Sequence, residues 1–255
     1  MRWLLFAAAG LVAGVASGLL GIGGAAVATP ALRFLSVSPR LAIGTTVPVI
    51  LPTTLTAALA YGRAGLVDMG AATWTGAAGA FTAALGALAT RHVSGHLLML
   101  VSAGVLLVLG LRALSPGGAE ERDAAPLRNR GALLALGAVA GFFSGLLGIG
   151  GGFVLVPAYI RFFRFPTKMA LGTSLAAISL TVLPNVVAQA YVGNIDWPIA
   201  GLLALGVIPG ARFGALLAVR APERILRPLV ALGVVVVALA YAGLELAELF
   251  CPECR

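Results

Sequence analysis

The chain has 255 residues, of which 60% are hydrophobic and only 10% are charged, and its mean hydropathy is +1.04. Soluble domains carry about 25% charged residues, so this composition excludes an ordinary soluble protein and indicates an integral membrane protein. The formal net charge is +8, from 17 basic and 9 acidic residues. The basic residues occur in short groups between apolar stretches, which is typical of membrane loops rather than of a nucleic-acid-binding surface.

Hydropathy divides the sequence into apolar segments that are long enough to be membrane helices, since a spanning helix needs about 20 apolar residues. The first half has segments at about 3–36, 41–62, 70–90 and 95–114, and the second half has segments at about 132–160, 169–192, 198–219 and 226–249. The predicted fold class is therefore an all-α integral membrane protein with about four apolar segments in each half.

The two halves are related by an internal repeat. The sequence from Gly14 to Gly24 reads GVASGLLGIGG, and 127 residues later the sequence from Gly141 to Gly151 reads GFFSGLLGIGG. The similarity continues beyond the glycines, for example where Asp68 matches Asp196. We predict a first membrane repeat at 1–114, a polar linker at 115–130, a second membrane repeat at 131–250 and a tail at 251–255.

The first segment of each repeat is predicted to be a broken or re-entrant helix. A helix of about 30 residues reaches some 45 Å, whereas the hydrocarbon core of a bilayer is about 30 Å thick. A glycine-rich run interrupts each segment near its middle, from Gly21 to Gly24 and from Gly148 to Gly152.

Two membrane topologies are compatible with these breaks. If the broken segment crosses the membrane fully, each half has four spans and the repeats are parallel; if it folds back, each half has three spans and the repeats are inverted. The positive-inside rule favours the inverted arrangement with both termini outside. In that arrangement one side carries Arg63, Arg112, Arg122, Arg128, Arg130, Arg161, Arg164, Lys168, Arg220, Arg224 and Arg227, and the other carries Arg2, Arg33, Arg40, Arg91 and Arg255.

The glycine-rich breaks are the strongest functional signal in the sequence. Backbone that leaves a helix inside a bilayer is tolerated only where it is packed in protein or lines a polar cavity. A half-helix that starts after such a break directs free N–H groups and its positive dipole end into that cavity, which suits an anion. The alternative is that the glycines only allow close helix packing. Their duplication in corresponding places favours a transporter binding site.

Polar side chains near the breaks extend this candidate site. Hydroxyl pairs follow Gly44 and Gly172, and three further polar residues lie within apolar segments. Such residues have alternative roles, since hydroxyls bond to the preceding turn and an arginine can snorkel to the interface. Asp68 and Asp196 are predicted to cap helices. The predicted substrate-binding residues are Ser17, Gly21, Gly23, Gly24, Thr45, Thr46, Ser144, Gly148, Gly150, Gly151, Gly152, Thr173, Ser174, Asn185, Gln189 and Arg212.

The sequence predicts neither an enzyme nor a metal or cofactor site. It contains no HExxH motif, no recognisable Ser/His/Asp set and no carboxylate pair within an apolar segment. Both cysteines, Cys251 and Cys254, lie in the tail without a second cysteine pair that would complete a zinc site. A channel is the alternative to a carrier, because glycine loops at membrane depth also form ion filters.

The repeated SGLLGIGG signatures, Val156-Pro157, the Gly-Thr-Ser of 172–174 and the stretch from Gly193 to Trp197 together resemble the TauE/SafE family of sulfite and organosulfonate exporters over essentially the whole chain. The first repeat departs from the pattern with Ala25 in place of a third consecutive glycine. The resemblance implies export of a small sulfur-containing anion, such as sulfite, sulfoacetate or another organosulfonate, across the bacterial inner membrane.

The sequence therefore predicts a secondary transporter that works by alternating access. Its expected partners are a small anionic substrate and the lipid bilayer, and its oligomeric state is not predicted. An anion channel and an importer of another small oxyanion are the alternatives.

Overall fold

The computed structural model describes residues 2–114 and 129–250, so most of the predicted linker and all of the predicted tail lie outside the described residues. The helices are α1 (Arg2–Leu20), α2 (Ala25–Phe34), α3 (Pro39–Arg63), α4 (Met69–Ala89), α5 (Gly95–Leu114), α6 (Arg130–Leu147), α7 (Gly152–Arg161), α8 (Thr167–Val192), α9 (Trp197–Arg220) and α10 (Glu223–Phe250). A short 3₁₀ helix, Thr90–His92, joins α4 to α5. The described part of the chain contains no strand, which confirms the predicted all-α fold.

Six of the described helices are long and apolar enough to cross a membrane. They are the helices α1, α3, α6, α8, α9 and α10. A seventh helix, α4, has 21 residues and is rich in alanine, glycine and threonine. The chain is therefore a multi-pass membrane protein.

The predicted interruptions of the first segment are confirmed in both halves. Helices α1 and α6 end at Leu20 and Leu147, and the ten-residue helices α2 and α7 begin a few residues later. Gly23 and Gly150 have φ angles of 91° and 86°, a backbone conformation that only glycine adopts without strain. The glycines therefore allow the chain to turn sharply inside each apolar segment.

After the first break, α2 runs back along the first part of α3. Gly24, just before α2, lies beside Thr53 near the middle of α3. One turn later the hydroxyls of Thr29 and Thr46 are hydrogen-bonded at 3.0 Å. In the second half, α7 likewise begins beside Ile178, near the middle of α8. Each short helix thus returns the chain to the end from which the following long helix starts.

Close packing between the two halves is built on glycine. Helices α1 and α9 lie side by side and run in the same direction, with Gly10 against Leu203 and Gly18 against Ala211. Helices α6 and α4 repeat this arrangement, for example with Gly137 against Thr75. Neither interface has room for a Cβ at these glycines, so the backbones approach as closely as small residues permit.

The matched helices α3 and α8 run in opposite directions. Gly44, near the start of α3, contacts Asn194, which follows the end of α8. Gly172, near the start of α8, contacts Tyr61 near the end of α3. The start of each long helix therefore lies against the end of its counterpart.

The predicted helix caps are confirmed, and a threonine from the other half supports each one. The Asp68 carboxylate accepts a hydrogen bond from the backbone N–H of Ala71 at 3.0 Å, and Asp196 does the same for α9 at 3.1 Å. The backbone N–H of Asp196 donates to the Thr45 hydroxyl oxygen, and that of Asp68 donates to Thr173. These bonds join the two halves at both ends of the bundle.

Basic side chains gather at the end of the bundle where α3, α7 and α9 finish and α8 begins. There the Lys168 ammonium donates to the Val219 carbonyl at 2.7 Å. At the opposite end, the Arg91 guanidinium lies 4.7 Å from the centre of the Tyr191 ring. We call the first of these the basic end; among its described side chains are Arg63, Arg161, Arg164, Lys168 and Arg220.

Candidate functional site

The two glycine-rich breaks meet in the middle of the protein. A Cβ placed on Gly150 would lie 3.2 Å from the Ile22 carbonyl oxygen and 3.7 Å from the Cα of Gly23. Gly152, the first residue of α7, contacts the carbonyl oxygen of Gly21. The N-termini of α2 and α7 are therefore neighbours, and Ile50 of α3 contacts both breaks. Each N-terminus is a separate candidate for anion binding.

The first half-helix site consists of Ser17, Gly24 and Thr53 at the start of α2. A Cβ on Gly24 would lie 3.3 Å from the Thr53 hydroxyl oxygen and 3.6 Å from the Ser17 Cβ. Both side chains are fully buried. The Thr53 hydroxyl donates to the Val49 carbonyl at 2.6 Å, whereas the Ser17 hydroxyl has no hydrogen-bond partner among the described residues. A buried hydroxyl therefore faces the helix N-terminus without a protein partner.

The second half-helix site consists of Thr75, Ser144, Gly151 and Thr181 at the start of α7. Ser144 is 1% exposed, its Cβ lies 3.6 Å from the position of a Cβ on Gly151, and its hydroxyl has no hydrogen-bond partner in the described structure. The Thr181 hydroxyl donates to the Ile178 carbonyl at 2.9 Å. Buried polar groups are nearly always paired, so the unpaired hydroxyl makes each site a candidate for binding a polar ligand.

A narrow gap accompanies the second half-helix site. Thr75 reaches it from α4, so both halves of the chain build it, and the Tyr159 hydroxyl lies beside Thr75. The gap does not admit a water molecule in this structure. No charged residue is among its lining residues, which are Thr75, Gly137, Ala140, Gly141, Gly151, Leu155, Ile178 and Thr181. Any attraction for an anion at this gap would therefore come from the dipole of α7 and from neutral hydroxyls.

Two of the predicted residues have side-chain amides; both belong to α8 and lie beside the end of α6, next to this site. The Asn185 side-chain amide donates to the Ser144 carbonyl at 3.5 Å, and the Gln189 amide donates to the Gly145 carbonyl at 3.4 Å. In the first half, the Tyr61 hydroxyl donates to the matched Gly18 carbonyl at 3.0 Å. These side chains bond to backbone carbonyls in the last turns of α1 and α6, and Asn185 thereby contacts Ser144.

Of the four residues in the two predicted hydroxyl pairs, the structure places one, Ser174, against a glycine-rich break. The Ser174 hydroxyl donates to the Gly21 carbonyl at 3.0 Å. Thr45 and Thr173 instead accept bonds from the capping loops of the opposite half, and Thr46 bonds to Thr29 of α2. These three threonines hold helices together around the site rather than lining the gap.

Arg212 lies apart from both half-helix sites. It is exposed and borders a separate groove between α3 and α9, together with Arg63. The structure therefore places this predicted residue near the outer surface of the helices instead of beside the breaks.

Three residues of the half-helix sites are absent from the sequence-based set. Thr53 and Thr181 occupy matching positions of the two repeats, so a search for hydroxyls shared by both halves would have found them. Thr75 has no such signal, because the matching position in the other repeat is Leu203, which has no hydroxyl. It reaches the second site only because α4 packs against α6 across the repeats.

Comparison with known proteins supports a transport role. The sequence profile of the sulfite exporter TauE/SafE family matches residues 6–241. The probable membrane transporter protein YunE of Bacillus subtilis is 30% identical over 239 residues, covering 84% of this chain and 86% of the relative. A probable membrane transporter protein of Xylella fastidiosa is 34% identical over 220 residues, covering 83% and 82%. YjnA of Bacillus subtilis, also a probable membrane transporter protein, is 31% identical over 84% of this chain and 90% of its own length. No solved structure matches the chain.

Proposed function

The chain belongs to the sulfite exporter TauE/SafE family of membrane transporters, and on that premise we propose that it exports a small sulfur-containing anion across the bacterial inner membrane. The substrate class is sulfite or an organosulfonate such as sulfoacetate. The observation that carries the proposal is the buried Ser144 hydroxyl, which has no partner in the described structure and lies at the N-terminus of α7.

The second half-helix site suits an anionic group with several oxygen atoms. The site lies at the N-terminus of α7, Ser144 lies beside that terminus on α6, and Thr75 lines the adjoining gap from α4. Sulfite and sulfonate groups carry three oxygens, which accept hydrogen bonds from different directions. Because every donor is neutral, the site attracts the anion without a fixed cation that would slow its release.

We further propose that the two halves are inverted repeats and that transport proceeds by alternating access. The opposite directions of α3 and α8 support this arrangement. A second support is that α1 of the first half packs against α9 of the second, while their matched helices α6 and α4 pack against each other in the same way. The positive-inside rule then assigns the basic end to the cytoplasm. Since the gap at the second site is closed to water, one group of helices must move relative to the other for an anion to enter.

The proposal is tested by counterflow in liposomes that contain the purified protein. Sulfite, sulfoacetate, sulfate and acetate are each supplied on one side, and exchange with labelled substrate on the other side is measured. We expect saturable exchange with sulfite or a sulfonate. A conductance that does not saturate would instead identify a channel, and exchange with none of the sulfur-containing anions would contradict the substrate class.

A matched pair of threonine variants on α4 links the activity to the site. Thr75→Val keeps the side-chain volume but removes the hydroxyl from the gap, whereas Thr73→Val removes an exposed hydroxyl on the same helix. A hydrogen bond to a charged group contributes about 1.5 kcal/mol or more, so Thr75→Val should raise the half-saturating concentration about tenfold. Equal behaviour of the two variants would remove Thr75 from the site.

A further inference from the structure

A second cavity, of about 250 Å³, lies between α3 and α9 near the basic end. Its lining combines two cations with apolar side chains and one hydroxyl: Thr56, Leu59, Ala60, Arg63, Arg212 and Leu216. Leu59 is 62% exposed and Leu216 is 38% exposed, so the groove opens on the outer surface of the helices. It is therefore separate from the gap at the second half-helix site, which lies in the interior.

The two arginines of this groove have no protein counter-ion in the described part of the chain. Arg63 and Arg212 are both exposed, and neither forms a hydrogen bond or an ion pair with a described residue. No carboxylate lines the groove. Two cations that share one small cavity repel each other, and an anion bound between them removes this repulsion.

The position of the pair along the helices matches the headgroup level of a bilayer. Arg63 is the last residue of α3. Arg212 precedes Arg220, the last residue of α9, by eight residues, which is about 12 Å along the helix axis. A long arginine side chain covers much of such a distance by snorkelling towards the interface. Leu59, one turn deeper in the membrane than Arg63, would then face the acyl chains, whereas Leu216 lies one turn nearer the basic end than Arg212.

Repeat symmetry shows that neither groove arginine has a matched arginine in the other repeat. The positions that match Arg63 and Arg212 in the other repeat are Tyr191 and Ala84. The equivalent place between α8 and α4 therefore lacks the arginine pair, although one cation, Arg91, lies against the Tyr191 ring there. Anionic lipids are concentrated in the cytoplasmic leaflet of membranes, so a groove with two arginines at the basic end fits a ligand of that leaflet.

From these observations we propose that the groove binds an anionic phospholipid, with its phosphate between Arg63 and Arg212 and an acyl chain along Leu59. Arginine pairs well with phosphate, because its planar guanidinium donates two parallel hydrogen bonds. This site uses no residue of either half-helix site, and only its placement in the cytoplasmic leaflet rests on the orientation proposed above.

The test measures lipid binding to the full-length protein in neutral detergent by native mass spectrometry and by thermal shift. Phosphatidylglycerol is compared with phosphatidylcholine, and both with sulfite and inorganic phosphate. A basic residue near an anionic lipid surface contributes about 1 kcal/mol, so Arg63→Gln and Arg212→Gln should each weaken phosphatidylglycerol binding about fivefold. The matched control is Arg220→Gln, which removes an exposed arginine of α9 outside the groove and should leave binding unchanged.

Three results would overturn the lipid site. One is equal binding of phosphatidylglycerol and phosphatidylcholine; another is an equal loss of phosphatidylglycerol binding in Arg220→Gln and Arg212→Gln. The third is loss of sulfite binding in Arg212→Gln with phosphatidylglycerol binding intact, which would assign the groove to the substrate pathway. Because both groove arginines are exposed, the variants should keep the wild-type melting temperature without lipid, which shows that they fold.

Discussion

The two half-helix sites have similar backbone geometry but different surrounding side chains. Gly23 and Gly150 have nearly the same positive φ, and each site contains a buried serine whose hydroxyl has no partner among the described residues. The surrounding side chains differ where Thr75 lines the second site, because the matched residue, which lies in the second repeat, is Leu203. The repeat has therefore kept the geometry that presents helix N-terminal N–H groups while the surrounding side chains have diverged.

This divergence makes the second site the more polar of the two. Tyr159, beside Thr75, matches Leu32, and Asn185, beside Ser144, matches Ala57. A bound oxyanion needs several donors in addition to one helix terminus; the second site has hydroxyls from three helices, α4, α6 and α8, whereas the first has them from α1 and α3. In our proposal the second site therefore binds the anion, and the first site mainly supports the junction of the breaks.

The largest effect is expected from a methyl group added where the breaks touch. Gly152→Ala places a Cβ against the Gly21 carbonyl, and overpacking of this kind costs about 1–3 kcal/mol. We expect the N-terminus of α7 to shift and substrate exchange to fall at least tenfold. The matched change in the first repeat, Ala25→Gly, should leave most activity. Wild-type exchange by Gly152→Ala would show that contact between the breaks is dispensable.

A smaller effect is expected where side chains bond to the last carbonyls of α1 and α6. Tyr61→Phe removes the bond to Gly18, and Gln189→Leu removes the bond to Gly145. Each lost bond should lower the free energy of unfolding by about 1 kcal/mol, measured as a lower melting temperature in detergent. Because neither side chain lines the gap, the affinity for the anion should change less than twofold. A larger loss of affinity would give these residues a binding role.

The smallest effect is expected from the apolar wall of the first site. Leu203 is fully buried, and Leu203→Met conserves its volume, so stability should fall by less than about 1.5 kcal/mol. Anion affinity, measured by titration of sulfite or sulfoacetate, should match that of the wild type. If affinity instead falls tenfold, the first site also takes part in binding.

The sequence predicts where the backbone breaks lie better than which side chains surround them. Glycine runs at matched positions locate both breaks, and Asp68 and Asp196 are recognisable as caps because they precede apolar segments. Spacing along the chain does not reveal which helices become neighbours. Thr45 therefore resembles a substrate donor in the sequence, yet in the structure it bonds to the capping loop of α9. Thr75 reaches the second site only through the contact between α4 and α6.

The most direct test of the anion site compares Ser144→Ala with Ser17→Ala. Both serines are buried and lack a hydrogen-bond partner in the described structure, so both variants should retain the wild-type melting temperature. The decisive measurement is the dissociation constant of sulfite or sulfoacetate for each purified variant. Our account predicts about tenfold weaker binding for Ser144→Ala, since a bond to a charged ligand contributes about 1.5 kcal/mol, and less than a twofold change for Ser17→Ala. Unchanged binding in Ser144→Ala, or a larger loss in Ser17→Ala, would contradict the assignment of the second half-helix site as the anion site.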